Sequence, residues 1–359
     1  MEKHKLVTLV TASFYMKVSD INNLNLLANY LKLDKNLLKT ICENDYIGLS
    51  AREILKYRAD NSDLTLVIKK IKIYKKNGGI RTVYSPVSDS VINCLKVLNK
   101  KLSKIYVPSK NVFGFIKGRS VQSNASQHLG KKYVYKVDLK DYFECINSDM
   151  LEKAFMRLGF NKAVLDCLCK IVTINNTLAQ GFHTSPTLAN IVFIDLDNVF
   201  SNISKNITYT RYADDLYFSS DEEFEIHDFI VENLKKFGFE VNESKTRMMK
   251  RGSKQYVTGL TVFDPDYPRI AKRIKKKIRQ EIYYIKKYGY KGHVMHKLKV
   301  KNKDYKTNED VKNKVDLAIS ELQSKINGWL LYINSIEPKF SKKYSEFLYK
   351  KSFKPISNN

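Results

Sequence analysis

The sequence predicts an α+β fold, in which short strands pair as an antiparallel sheet and helices fill the intervals. Three observations carry this. Tyr209 to Phe218 is an aromatic and apolar run interrupted at its centre by Asp214-Asp215, the pattern of two strands joined by a tight turn. Leu64 to Tyr74 and Ile80 to Tyr84 form a second strand pair about the turn signal Asn77-Gly78-Gly79. Beyond Pro268 the patterning becomes basic, tyrosine-rich and helical.

Taken in order, Ser19 or Asp20 can cap a helix reaching Leu31, and Asp34 can cap a second. Residues 1–63 thus form an N-terminal helical region to which the sequence assigns no role. The strand pair that follows carries Lys69, Lys70, Lys72, Lys75, Lys76 and Arg81, which by themselves describe a solvated basic hairpin. Ser88 to Tyr106 is an amphipathic helix. Gly114 to Ser120 holds two glycines with Lys117 and Arg119, which suits backbone approach to phosphate and equally an ordinary turn. Tyr133 to Leu139 is a buried strand with Asp138 at its end. Helices are expected at Met150–Leu158, Ala163–Ile174, Thr187–Phe200 and Glu222–Phe237, with Pro186 fitting a first turn. Two more are expected at Pro268–Tyr288 and Val311–Asn334, with Trp329 as a packing anchor and Ile356–Asn359 frayed.

Composition narrows the partners. The 359 residues carry a net charge of +26, with pI ≈ 9.6. From Arg269 on, 24 Lys and Arg stand against eight Asp and Glu, so the C-terminal part holds +16 of that excess. Such a surface suits a polyanion, because each neutralised phosphate releases counterions. An anionic membrane is the rival, but no apolar run approaches the roughly 20 residues of a spanning helix. Leu6 to Tyr15 is mildly apolar without a clear cleavage site, so a cytoplasmic protein without a membrane partner is expected. The cysteines (Cys42, Cys94, Cys145, Cys167 and Cys169) are odd in number and lack Cys-x-x-Cys spacing, which predicts free buried thiols. His293 and His296 form only a weak metal pair.

The chemistry concentrates on three carboxylates. Asp214 and Asp215 repel one another, and an apolar setting tolerates that only with a counter-charge. A solvated hairpin tip would relieve the pair but leaves the flanking apolar run unexplained. A hard divalent cation relieves it directly. Asp138, ending another strand, can converge on the same point. Two ions held in this way clamp the attacking and leaving oxygens of a phosphoryl transfer. The expected ligands are Asp138, Asp214 and Asp215, with the Leu139 carbonyl as a backbone donor.

Tyr212-Ala213-Asp214-Asp215 resembles the YxDD motif of reverse transcriptases, and Val137 to Phe143 resembles the first palm motif of that family, in the right order. Gln180-Gly181-Phe182-His183-Thr184-Ser185-Pro186 resembles QGxxxSP, although Ala179 replaces a frequent Pro and Phe182-His183 are larger than usual. Gly238 to Thr246 resembles the next palm motif. Asn124-Ala125-Ser126-Gln127-His128 matches NAxxH and Val257-Thr258-Gly259 matches VTG, two signatures of retron enzymes. By residue type alone, Asn124 and His128 would be structural and the tripeptide a plain strand end.

The resemblance covers Leu64 to the C-terminus and implies a right-hand polymerase. Residues 64–130 would form fingers, 131–262 a palm with finger helices inserted near 150–180, and 263–359 a basic helical thumb. It implies Mg2+ as two ions, with Mn2+ able to replace it, and Asp138, Asp214, Asp215 and Lys245 as catalytic residues, Lys245 meeting the leaving pyrophosphate. Arg81 would meet the dNTP triphosphate, Asp141 and Tyr142 would offer backbone N–H groups, and Gln180 would touch nucleotide or template. Phe143, five positions after Asp138, would exclude a 2′-hydroxyl. Asn124, His128, Val257, Thr258 and Gly259 would be nucleic-acid contacts. The implied partners are a structured noncoding RNA, its cDNA and a separate effector protein acting in phage defence. A group II intron-type enzyme would usually add maturase or endonuclease segments, which are not seen. A silent RNA-binding scaffold would not need three intact aspartates, and an RNA-copying or primase-like polymerase is disfavoured by Phe143.

Overall fold

The computed structural model describes residues 17–75 and 78–349. The apolar run Leu6 to Tyr15, Lys76 and Asn77 of the turn, and Ile356–Asn359 lie outside the described residues. The elements in chain order are α1 (Leu24–Leu31), α2 (Lys35–Glu43), β1 (Ile47–Leu49), α3 (Ala51–Asp60), β2 (Val67–Tyr74), β3 (Ile80–Pro86), α4 (Asp89–Ile105) and α5 (Val121–Ala125). There follow β4 (Tyr133–Asp138), α6 (Ser148–Arg157), α7 (Leu165–Val172), β5 (Thr173–Ile174), β6 (Thr177–Leu178), α8 (Ser185–Val192), α9 (Ile194–Ser201), β7 (Thr208–Tyr212) and β8 (Asp215–Ser220). The chain continues with α10 (His227–Lys236), β9 (Arg247–Lys250), β10 (Tyr256–Val257), β11 (Leu260–Thr261), β12 (Arg269–Ile270), α11 (Lys272–Leu298), α12 (Asn302–Thr307), α13 (Glu309–Asn334) and α14 (Pro338–Tyr349). No helix among the described residues is long and apolar enough to cross a membrane.

The described residues form two compact units, the first drawn from residues 17–119, Tyr135–Phe218 and Phe224–Arg247. Here the basic strand pair is the antiparallel hairpin β2–β3, in which Arg81 opposes Ile73. β1 adds to β2 in parallel. The central sheet runs in the order β7-β8-β4-β9. Asp34 caps α2 as expected, accepting from Asn36 and Leu37 N–H. α1, however, is capped by Asn23, whose side chain accepts from Leu26 N–H, not by Ser19 or Asp20. The single helix expected over Thr187–Phe200 is two helices, because the backbone leaves helical geometry at Phe193 (φ −84°, ψ 1°). α10 starts five residues later than expected. The free-thiol expectation fails at two positions: α2 packs on α7, and Cys42 and Cys167, with Cα atoms 4.9 Å apart, form a disulfide. Cys94, Cys145 and Cys169 are free.

The second unit is drawn from Ser120–Val134, Ser219–Glu223 and residues 248–349. Its small sheet β10-β11-β12 is antiparallel throughout. Its helices pack α11 on α13 and α13 on α14, around Ile278, Ile282, Val315, Ile326 and Leu330. Trp329 is only half-buried, edge-on to Tyr332, so the anchor here is aliphatic. α11 runs past its expected end but bends at Gly289 (φ 70°, ψ 167°), a conformation open to glycine.

His128 is fully buried in this unit, its Nδ1 2.7 Å from Ser219 Oγ. Burial, with a smaller push from Lys131, lowers the imidazole from 6.5 to about 3. Between those two values the unfolded chain binds a proton that the folded chain refuses, so this contribution is complete above pH 6.5 and fades as the pH falls. We expect stability to drop by about 1.4 kcal/mol per pH unit below that point. Urea midpoints at pH 7.5 and 5 check this, since His128→Gln should flatten the difference.

Candidate active site

β4 ends on Asp138, whose side chain is almost wholly buried. Three backbone bonds fix that strand end. Leu139 N–H donates to the Asp214 carbonyl at 3.0 Å, Asn242 N–H to the Asp138 carbonyl at 2.7 Å, and Lys140 N–H to the Glu240 carbonyl at 2.9 Å. Residues 138, 214 and 242 are thereby drawn together from well-separated parts of the chain.

The other two carboxylates follow the β7–β8 turn, where Ala213 takes φ +57°. A non-glycine residue holds that left-handed conformation only where its surroundings enforce it. They do so through Arg211, which is fully buried. Its Nε and Nη2 donate to the two Asp197 oxygens at 2.8 and 2.7 Å. Its Nη1 donates to Asn190 Oδ1 at 2.9 Å, to Tyr142 Oη at 3.2 Å and to the Ala213 carbonyl at 3.2 Å. Tyr209 Oη also donates to Asp197, at 2.8 Å. Asn190 in turn donates to the Gly114 carbonyl at 2.9 Å. Gly114 lies so close to the turn that a Cβ there would stand 2.3 Å from Ala213 N. Arg119 Nη1 donates to the Ser109 and Val112 carbonyls, so it braces this loop.

Negative charge is in excess at the convergence point. Burial raises the Asp214 carboxyl above the ordinary range, the Asp215 and Asp138 charges add to this, and Arg81 opposes it. Burial raises Asp215 too, against the pull of Lys136. Lys136 Nζ lies 2.7 Å from Asp215 and 3.8 Å from Asp138. Lys245 Nζ donates to Asp138 at 2.9 Å, which raises the lysine. Tyr217 Oη donates to Asp215 at 3.1 Å. The donors are hard oxygens in the setting a hard divalent cation favours, so the residues suit such an ion. No three acidic, His or Cys residues among those described already stand in a closed ligand shell. Lys136 and Lys245 supply positive charge there instead.

The positions expected to meet a nucleotide all lie in the same unit. Phe143 is half-exposed, with Phe115 beside it at 6.4 Å between ring centres. Asp141 takes φ +41°, and the N–H groups of Asp141 and Tyr142 make no backbone hydrogen bond among the described residues. The Tyr142 ring points inward, its hydroxyl donating to the Ala189 carbonyl at 3.0 Å. Arg81 is exposed on β3. The Gln180 loop is tied to that strand, Tyr84 N–H donating to the Gln180 carbonyl at 2.7 Å. A Cβ on Gly181 would meet the Tyr84 carbonyl at 2.4 Å, which explains the glycine. The unusual Phe182 is buried edge-on against Tyr46 from the N-terminal region, 5.7 Å away.

The remaining candidates lie in the second unit, where the Val257-Thr258-Gly259 segment joins the start of α5, the helix that carries Asn124: Thr258 Oγ1 donates to the Val121 carbonyl at 2.8 Å. Asn124, His128 and Val257 are fully buried, so in this structure they shape the unit, while Thr258 is half-exposed and Gly259 exposed. Sequence reading missed Lys136, Asp197, Asn190, Arg211 and Phe115. Only Lys136 had a signal, since strand alternation puts it on the Asp138 face.

Arg211→Met should destabilise the fold by about 3–5 kcal/mol, because it strands a buried carboxylate. Arg211→Met/Asp197→Leu should recover most of that in urea unfolding yet remain impaired in primer extension, the Ala213 carbonyl having lost its donor. Wild-type extension by the double variant would show that the turn does not need the network.

The chain matches the reverse transcriptase (RNA-dependent DNA polymerase) family over residues 55–285. It is 31% identical over 295 residues to the retron Ec73 reverse transcriptase of Escherichia coli, covering 76% of this chain and 84% of that one. Against the retron Ec86 enzyme of the same organism it is 29% identical over 255 residues, covering 70% and 78%. Against the retron Mx65 reverse transcriptase of Myxococcus xanthus it is 32% identical over 211 residues, covering 52% of this chain but only 49% of that relative. Among solved structures, telomerase from Candida tropicalis with a telomeric RNA fragment gives a TM-score of 0.41 at 14% identity, covering 79% and 64%, a likeness too slight to bear on the site. On the strength of the family match and the Ec73 relationship, the chain belongs to the reverse transcriptases, the RNA-dependent DNA polymerases, and among them to the bacterial retron group.

Proposed function

We propose that this protein copies part of a structured noncoding RNA into a short single-stranded DNA that stays joined to that RNA. The observation that carries the reading is the convergence of Asp138, Asp214 and Asp215. Family membership implies divalent-metal dependence; that the ions are Mg2+, and two of them, is part of the proposal. When bound, they would supply charge stabilisation for the attacking and leaving oxygens. Asp138, Asp214, Asp215 and the Leu139 carbonyl would hold them.

The chain's own groups do the rest. A primer hydroxyl gives its proton to solvent and attacks the α-phosphorus of a dNTP; the new P–O bond forms as the α–β phosphoanhydride breaks and pyrophosphate leaves. For the first nucleotide the hydroxyl would be a 2′-hydroxyl of the RNA, which joins the two strands. Arg81 and the Asp141 and Tyr142 N–H groups receive the triphosphate, and Lys245 steadies or protonates the pyrophosphate. Gln180 positions the nucleotide or template. Residues 64–130 act as fingers, 131–262 as palm and 263–359 as thumb. We further assign the product to phage defence in the cytoplasm with a separate effector protein.

Nucleic acid purified with the protein from its native locus tests this. A short DNA covalently joined to one RNA, absent from Asp214→Ala/Asp215→Ala protein, is expected. Heterogeneous cDNA would keep the polymerase and discard the retron reading; RNA without DNA in both samples would leave only a scaffold. Primer extension by Asp214→Asn should fall on the order of 10²–10³-fold.

Phe143→Ala should relax discrimination against ribonucleotides by roughly ten- to a hundredfold, read as the ratio of kcat/KM for dNTP and NTP. Unchanged selectivity would remove Phe143 from the sugar gate.

A further inference from the structure

The bend at Gly289 folds the two halves of α11 toward one another and encloses a groove of about 920 Å³ within the second unit. The volume lies in the range of sites that hold small ligands. Arg273, Lys276 and Lys277 line it from the first half and Lys297 from the second. Glu281 is the single acidic residue on its wall, and it is already paired: Lys297 Nζ donates to it at 2.7 Å and His293 Nε2 lies 2.7 Å away. The groove is therefore cationic.

Its floor is aromatic and ordered. Tyr284 lies nearly parallel to His293 (ring centres 5.5 Å apart, 14° between planes) and nearly parallel to Tyr288 (6.2 Å, 17°). The three rings make one stacked tier, closed at the buried His293 and open at Tyr288, which is 54% exposed. A protein core has no use for a stack that ends in solvent beneath a row of cations. A base supplies the missing tier, and its phosphate suits the rim. A paired duplex offers its backbone but no free base face.

We propose that this groove binds an unpaired nucleotide of a longer strand, its base stacked on Tyr288, its own phosphate met by Lys287, and the neighbouring phosphates of the strand, at roughly 6–7 Å intervals along the helix, by the Arg273, Lys276 and Lys277 side. This rests on the RNA-copying reading, for which an RNA with both paired and unpaired parts is the natural source. Lys287, whose ammonium lies 5.1 Å from the Tyr288 ring centre, moves to the phosphate as the base arrives.

The test uses the full-length protein and three labelled probes: a fully paired RNA hairpin, the same hairpin with one bulged 4-thiouridine, and a single-stranded DNA hexamer. Tyr288→Ala should bind the bulged RNA roughly tenfold more weakly and the paired hairpin unchanged, while Tyr288→Phe behaves as wild type. Photocrosslinks from the bulge should map to α11 between Arg273 and Lys297. Preference for the DNA probe would assign the groove to the product strand, and preference for the bulged RNA to the template. Equal loss on the paired hairpin, an unaffected Tyr288→Ala, or crosslinks mapping elsewhere would overturn the site. Primer extension by the wild type is scored separately. Tyr288-dependent binding without extension would keep the groove and reject the polymerase; extension without such binding would do the opposite.

Discussion

The buried pair of Arg211 and Asp197 is the constraint on which the rest of the active site depends. Two opposite charges with no solvent are tolerable only when every donor and acceptor is matched. Arg211 meets that condition by reaching four residues, so the need to satisfy one guanidinium ties α8, α9, the loop after β4 and the β7–β8 turn into a single body. An apolar pair of the same size would fill the space, yet it would have no hydrogen to offer the Ala213 carbonyl. The polar choice is thus explained by geometry more than by stability.

Electrostatics follows from the same arrangement. Asp214 and Asp215 are fixed by their backbone in a setting that disfavours their charge. Lys136 and Lys245 partly answer it from β4 and from the segment before β9. These two are not equivalent. The Lys136 side chain is 17% exposed and shares its contact between two carboxylates, whereas that of Lys245 is 51% exposed and touches one. Lys245 is free to swing with little loss of packing; Lys136 belongs to the frame.

How much of this the sequence disclosed depends on range. Asp138, Asp214 and Asp215 were legible because strand alternation and a turn signal are local patterns. So were Asp34 as a cap and the β2–β3 hairpin. Arg211 was not, since nothing in a strand reading tells a guanidinium at a core position from one in solvent until its partners on α8 and α9 are known. The break at Phe193 escaped for a related reason: its flanks, Ile191, Val192, Ile194 and Asp195, are only middling helix formers, but they hold no Gly or Pro to mark a stop. Cys42 and Cys167 meet across two helices whose contact no spacing rule reveals. Trp329 misled because size suggests burial, while the helix turns its aliphatic side inward. Asn124, His128 and Val257 were read as nucleic-acid contacts from motif likeness, whereas residue type alone made Asn124 and His128 structural and the tripeptide a plain strand end; all three are buried.

The close approach of Gly114 to Ala213 bears on how the molecule comes into being. These positions touch backbone to backbone across nearly a hundred residues, and Asp138 is then fastened to Asn242 by a bond spanning about as many again. Contacts so distant along the chain form late, because each loop must lose its freedom before any interaction rewards it. A ribosome-bound chain that has emerged only as far as β4 holds one isolated carboxylate at a loose strand end. The site is completed only after the segment leading into β9 has been made, so synthesis itself delays the appearance of a competent centre.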